Sequence, residues 1–223
     1  MNKRLVFFLI AVFLIVRPES IMAASPQSVT FTVSASVPVA TGASITATRM
    51  AGASPTFAAA ASSRALTTPS AATALSFDPL TFNTANKIWL PDHYFVIEAG
   101  PSGGPGDTDV TVSYTEGSNP NAPAHGLGWK TTVTFIKATV DSSGNTTETP
   151  ITSHGPKKML KDLSGEHITS SEITHAGWLK MYVGIVTKDP SAAYPDPAAS
   201  EVFSNADHAG YYDGSLLISV TVS

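Results

Sequence analysis

The sequence predicts an all-β fold, and three observations predict it. Short segments of alternating apolar and polar residues recur along the chain, Gly- and Pro-rich turns separate them, and no convincing amphipathic helix interrupts the rhythm. About eight such short segments, spaced in this way, indicate an antiparallel sandwich of immunoglobulin-like type.

The chain begins with Lys3 and Arg4, continues with the apolar run 5–16, and reaches Ile21-Met22-Ala23-Ala24. A basic start, a short apolar core and small residues at its end are the layout of a secretory signal peptide, here residues 1–23 with cleavage after Ala23. The run is well short of the roughly 20 residues that cross a bilayer as a helix, so a removable leader is the expectation over an anchor. About 200 residues then remain, enough for one domain and an extension.

The first strand of the mature chain is the most regular. Val29, Phe31, Val33, Ala35 and Val37 form one apolar row, and the residues between them are only Ser and Thr. Pro38 lacks a backbone donor and marks where this strand stops. Residues 24–38 are therefore an N-terminal extension and 39–223 the body of the domain. A second strand is expected over 44–50, followed by an Ala-rich loop, 51–74, bracketed by Pro55 and Pro69.

Further strands are expected around Leu75 and Phe77, Leu80 and Phe82, over 88–90 and 94–98, and at Val110, Val112 and Tyr114. Residues 129–140 and the turn 141–145 read as one arm and the tip of a hairpin, and 157–163 as a short helix or connector. Leu179, Met181, Val183 and Ile185 alternate once more, and a Pro-rich loop, 189–197, precedes the last strand. That strand carries Leu216, Ile218, Val220 and Val222 in one row, and the given sequence ends inside it. An apolar strand with an uncovered edge is an aggregation hazard unless another strand is added to it. The alternating strand at the other end of the chain is suited to that task.

Composition narrows the function. Removing Lys3, Arg4 and Arg17 from 13 basic residues and Glu19 from 17 acidic ones leaves 10 and 16, a net charge of −6 for the mature chain. Without a basic patch, nucleic acid is not an expected partner. The chain has no cysteine, so disulfides, thiolate catalysis and cysteine zinc sites are excluded and the fold must be held by its core and strand pairing.

Catalytic motifs are absent: there is no G-x-S-x-G elbow, H-E-x-x-H pair, phosphate loop or dinucleotide fingerprint. His93, His125, His154, His167, His175 and His208 lack metal-ligand spacing and read as solvated loop residues. Asp107-Thr108-Asp109 reads as turn chemistry before a calcium site. Glu98, Glu116, Asp162, Glu166 and Glu172 supply carboxylates, but nothing in the sequence pairs two of them for sugar hydrolysis. Trp89, Trp129 and Trp178 suit core packing better than a sugar-stacking platform. Asn145-Thr146-Thr147 has the form of a glycosylation sequon and reads more simply as a hairpin tip. No catalytic residue, cofactor or metal is therefore expected.

The segments Thr32-Val33-Ser34-Ala35-Ser36-Val37 and Ala209-Gly210-Tyr211-Tyr212-Asp213-Gly214, the latter leading into the terminal alternating strand, resemble the pilin subunits of chaperone/usher fimbriae. The likeness is to the cysteine-free major subunits of the alpha class, the colonisation-factor type. It is specific at both ends and is a matter of strand rhythm between them. It implies an incomplete immunoglobulin-like sandwich completed by a donor strand from a neighbouring subunit, a known form of β-strand addition.

The same resemblance implies a donor row of Val29, Phe31, Val33, Ala35 and Val37, and an acceptor groove edge of Tyr211, Leu216, Ile218, Val220 and Val222. The implied partners are identical subunits in a homopolymer, a periplasmic chaperone and outer-membrane usher during assembly, and a separate tip adhesin. The implied location is the periplasm and then the fimbrium on the cell surface. The chain departs from the family pattern in its greater length, in Pro38 directly after Val37, and in ending without a nearby aromatic. A stand-alone secreted carbohydrate-binding sandwich and a secreted hydrolase are the competing readings.

Overall fold

The computed structural model describes residues 28–36, 42–54, 73–101, 106–117, 126–155, 158–188, 201–207 and 210–223, with the backbone alone for 28–36, 73 and 74. The leader, most of the Ala-rich loop and the Pro-rich loop lie outside these residues, as do Val37, His125 and His208.

Two sheets face each other. The first has the order β11 (Glu166–Ile168), β7 (Thr108–Glu116), β13 (Tyr211–Val222), β1 (Ser28–Ser36) and β3 (Thr73–Ser76). The second has the order β10 (Lys158–Met159), β8 (Thr131–Val140), β12 (Trp178–Ile185), β6 (His93–Pro101) and β2 (Ala43–Ala51), with β9 (Thr146–Pro150) pairing along the distal half of β8. A small ribbon of β4 (Leu80–Asn83) and β5 (Ile88–Pro91) stands beside them. All pairings are antiparallel except that of β1 with β13.

The core lies between the sheets and follows from period-two patterning. Phe95, Ile97, Ala99, Phe135, Leu179, Met181, Val183 and Ile185 come from the second sheet, and Leu75, Val110, Val112, Tyr212, Leu216, Ile218 and Val220 from the first. Strands β6 and β12 are buried along their whole length. Their other positions form a separate layer in which Tyr94, Val96, Ile136 and Tyr182 pack together with Met50 against them. Beside it the Trp178 indole donates to Glu98 at 2.9 Å, Tyr182 donates to Glu148 at 2.7 Å, and Lys180 pairs with Glu148. This network satisfies charges that burial would otherwise make costly.

The hairpin forms where expected. The Asp141 carboxylate accepts backbone N–H groups of Ser143 and Asn145, each at 2.8 Å, and the Asn145 amide at 3.1 Å, so the sequon-like tip is a turn built by its own side chains. The connector at 157–163 becomes the short β10 and a 3-10 turn, Leu160–Asp162. One helix, α1 (Ser170–Ile173), was not expected; the capping box Thr169-Ser170-Ser171-Glu172 opens it, with the Thr169 N–H donating to Glu172 at 2.9 Å.

Candidate functional site

The feature that sets this sandwich apart is a strand from the N-terminal extension lying in the middle of a sheet. β1 pairs with β13 from Ser28↔Tyr211 to Ser36↔Ser219 and with β3 from Thr30↔Ser76 to Val33↔Thr73. Among the described residues, β13 would expose one edge without β1, and β3 would have no partner in its sheet. The terminal strand, expected to have an open edge, is paired on both sides, with β7 and with β1.

The walls of this slot are built by alternation. On β13 the residues Tyr212, Gly214, Leu216, Ile218 and Val220 are buried, and Val222 is half-buried. By register they are neighbours of the expected donor row: Val29 pairs with Tyr212, Phe31 with Gly214, Val33 with Leu216 and Ala35 with Ile218. Across the slot Phe31 pairs with Leu75, which is 1% exposed. β3 is fastened to the second sheet just beyond Ser76. The Ser76 carbonyl lies 2.6 Å from His93 Nε2, and Phe77 packs edge-on against Phe95 at 5.2 Å between ring centroids.

Tyr211 is displaced from its expected place. It is 57% exposed, while Tyr212 is buried at 1%. The reason is parity: counting back from Leu216 in steps of two reaches Gly214 and Tyr212, so Tyr211 falls on the other face. Tyr212 and Gly214 are thus slot residues that the same rule, applied strictly, would have found. Phe203, in an irregular segment, carries no such signal.

Tyr212 closes one end of the slot. Its ring meets that of Phe203 at 84° with centroids 4.9 Å apart. Burial, and then the nearby Asp207 charge, push its hydroxyl up to about 12. Asp207 forms a buried ion pair with Lys130 at 2.7 Å, and Lys130 also donates to the Val202 carbonyl at 3.0 Å. This pair fixes the segment that carries Phe203. At the other end, Asp107 and Ser223 exchange backbone hydrogen bonds of 3.1 and 3.0 Å.

Chemistry elsewhere is structural in form. His154 lies between two carboxylates, with Nδ1 2.5 Å from Glu166 and Nε2 3.1 Å from Glu172. Burial acts to lower the His154 pKa, but the hydrogen bonds to Glu166 and Glu172 prevail and it is raised. Burial likewise acts to raise Glu172, yet hydrogen bonds from Ser153, the Thr169 backbone and His154 hold it at about 2. Glu166, also bonded to Lys158, is lowered against the same opposing desolvation. His154 and the two glutamates thus form a hydrogen-bonded clasp.

Asp107 bonds His175 at 3.0 Å, while Asp109 accepts from the Ser170 N–H at 3.0 Å. Among the described residues no group of three or more His, Cys, Asp or Glu is arranged to hold a metal ion. Trp89 and Trp178 are buried, and Trp129 is half-buried under the Lys161 ammonium at 4.3 Å. Two of the three tryptophans are therefore inaccessible to a sugar ring. No helix among the described residues is long and apolar enough to cross a membrane.

No protein-family model matches the chain, and no curated protein matches it significantly.

Proposed function

We propose that this chain is a structural subunit of a surface fimbria that polymerises by donor-strand exchange and so supports adhesion. In this reading residues 1–23 direct export, 24–38 form the donor extension, and a periplasmic chaperone and outer-membrane usher handle the subunit before it joins a homopolymer. The observation that carries the reading is the position of β1. A strand from the N-terminal extension, joined to the body through residues 37–42, occupies a slot between β13 and β3 that the other described residues leave without a strand.

A strand attached in this way can be supplied equally well by another copy. Main-chain hydrogen bonds give such an addition its affinity, and alternate side-chain positions give it its register. The Ser and Thr that alternate with the apolar row suit a segment that must also remain soluble while unpaired.

The test is a chain lacking residues 24–38, compared with the full mature chain on gels run without boiling. The full chain should give a ladder of heat-sensitive multimers when assembled with its chaperone. The shortened chain should give none, and should bind a synthetic peptide of residues 27–37. A shortened chain that is a stable monomer with no affinity for the peptide, from a parent that never forms multimers, refutes the proposal in favour of a stand-alone binding module.

A further inference from the structure

The direction of β1 adds something the strand-exchange reading does not contain. We infer that the subunit has a self-closed monomeric form, in which its own β1 fills its own slot parallel to β13, and that this strand must leave before a second copy can be joined. The inference rests on the strand-exchange reading for its consequence, and on chain geometry for its content.

The geometry is a matter of reach. Ser36 pairs with Ser219, and Ala43 pairs with Pro101 on the opposite sheet. These two points lie at one end of the sandwich: a Cβ built on Gly106 would lie 2.9 Å from Val222 and 3.6 Å from Pro101, and Asp107 is hydrogen-bonded to Ser223. Six residues, 37–42, join Ser36 to Ala43. Seven Cα steps reach on the order of 23–25 Å when extended, ample for crossing between sheets stacked about 10 Å apart.

The reverse orientation is different. It would carry Ser36 to the Tyr211 end of the slot, a displacement of roughly 26 Å along the sheet in addition to the crossing, which exceeds that reach. A strand tethered by this link can therefore enter its own slot only parallel to β13. A strand supplied by another copy is free of that restriction. A reversed strand from a neighbour would pair antiparallel along the long β13 ladder and parallel only along the short β3 ladder, and antiparallel pairing is slightly the more stable per residue, so the self-closed state is a closure that a neighbour's strand can replace.

The self-closed form makes the slot unavailable and hides the donor in one step. A free subunit is then protected from non-productive edge pairing, and assembly is held back until the strand is released.

The test uses amide hydrogen exchange of the mature chain as a dilute monomer. Residues 28–36 and the β13 amides should be protected together, with exchange slowed about a hundredfold or more relative to an unstructured peptide and no dependence on protein concentration. A second variant, Thr32→Cys with Ser215→Cys, places a thiol pair at register partners in a chain that has no other cysteine. Oxidation should give an intramolecular cross-link and a monomer that forms no multimers until reduced.

Unprotected 28–36 in the monomer, or cross-links that form only between chains, overturns self-closure while leaving strand exchange intact. A cross-linked monomer that still polymerises overturns the requirement that the strand leave. A wild-type chain that never forms multimers under any condition overturns the strand-exchange reading itself, and is told apart by being seen without the cysteines.

Discussion

The Tyr114 hydroxyl occupies the space where Gly214 has no side chain: a Cβ built on Gly214 would lie 2.0 Å from that oxygen. The hydroxyl also donates to Glu116 at 3.0 Å, and the Glu116 carboxylate accepts the Gly128 N–H at 3.0 Å. Tyr114 therefore cannot yield without breaking a chain of bonds. Gly214→Ala should destabilise the domain by roughly 1–3 kcal/mol through overpacking. It should also weaken uptake of a donor peptide, because Gly214 is the register partner of Phe31. Urea unfolding and peptide titration check both; an alanine variant that binds and unfolds like wild type contradicts the argument.

The donor row is tested by charge. Phe31 pairs with buried Leu75 on one side and buried Gly214 on the other. A carboxylate introduced at Phe31 or Val33 should abolish multimers, since an unpaired charge costs far more to bury than an apolar group stands to gain. Chaperone binding through the slot should survive. Normal fibres assembled from Phe31→Asp or Val33→Asp would sink the assignment of this row.

A pH profile follows from the His154 clasp. Its raised pKa means that the His154 contribution is complete below about pH 6.5 and is lost as pH rises through the raised value. Glu166 and Glu172 are lowered, the latter to about 2, so their contribution is complete above about pH 4.5 and is lost as pH falls toward those values. This cluster should be at full strength between about pH 4.5 and 6.5. His154→Gln should flatten the alkaline fall in melting temperature; an unchanged slope above pH 6.5 shows that the clasp does not contribute.

Lys130 and Asp207 are 4% and 9% exposed at their side chains. Lys130→Met leaves a buried carboxylate without its cation and should cost about 3–5 kcal/mol. Replacing both, Lys130→Met with Asp207→Asn, should cost markedly less. Because Asp207 holds the segment bearing Phe203, the single variant should also loosen the Tyr212 end of the slot, visible as faster amide exchange at β13. Equal losses in the single and double variants would rule out the uncompensated charge as the cause.

Strand rhythm was the legible part of the fold. The alternations at Val110 to Tyr114, Leu179 to Ile185 and Leu216 to Val222 each became a strand of the core, because burying one face imposes period two on the residues themselves. Four things were less legible. Tyr211 was placed one residue out of phase, although the step of two counted back from Leu216 reaches Tyr212. The helix at Ser170–Ile173 is only four residues and shows itself through its capping box rather than through periodicity. Phe203 reaches the slot from a segment without regular structure, where only three-dimensional folding brings it to Tyr212. The partner of β1 within its own chain depends on the reach of residues 37–42 between two sheets, a distance no local pattern encodes.

The double flank of β1 has a mechanical side. Tension applied through the link at residues 37–42 would pull the strand along its own axis, past β13 on one side and β3 on the other. The hydrogen bonds of both ladders then carry the load together in shear, instead of parting one after another as a peeled edge strand's would. If the slot of a neighbouring copy holds the strand in the same flanked fashion, a filament of such subunits resists stretching with many weak bonds at once, and no covalent cross-link is needed in a chain that has no cysteine to make one.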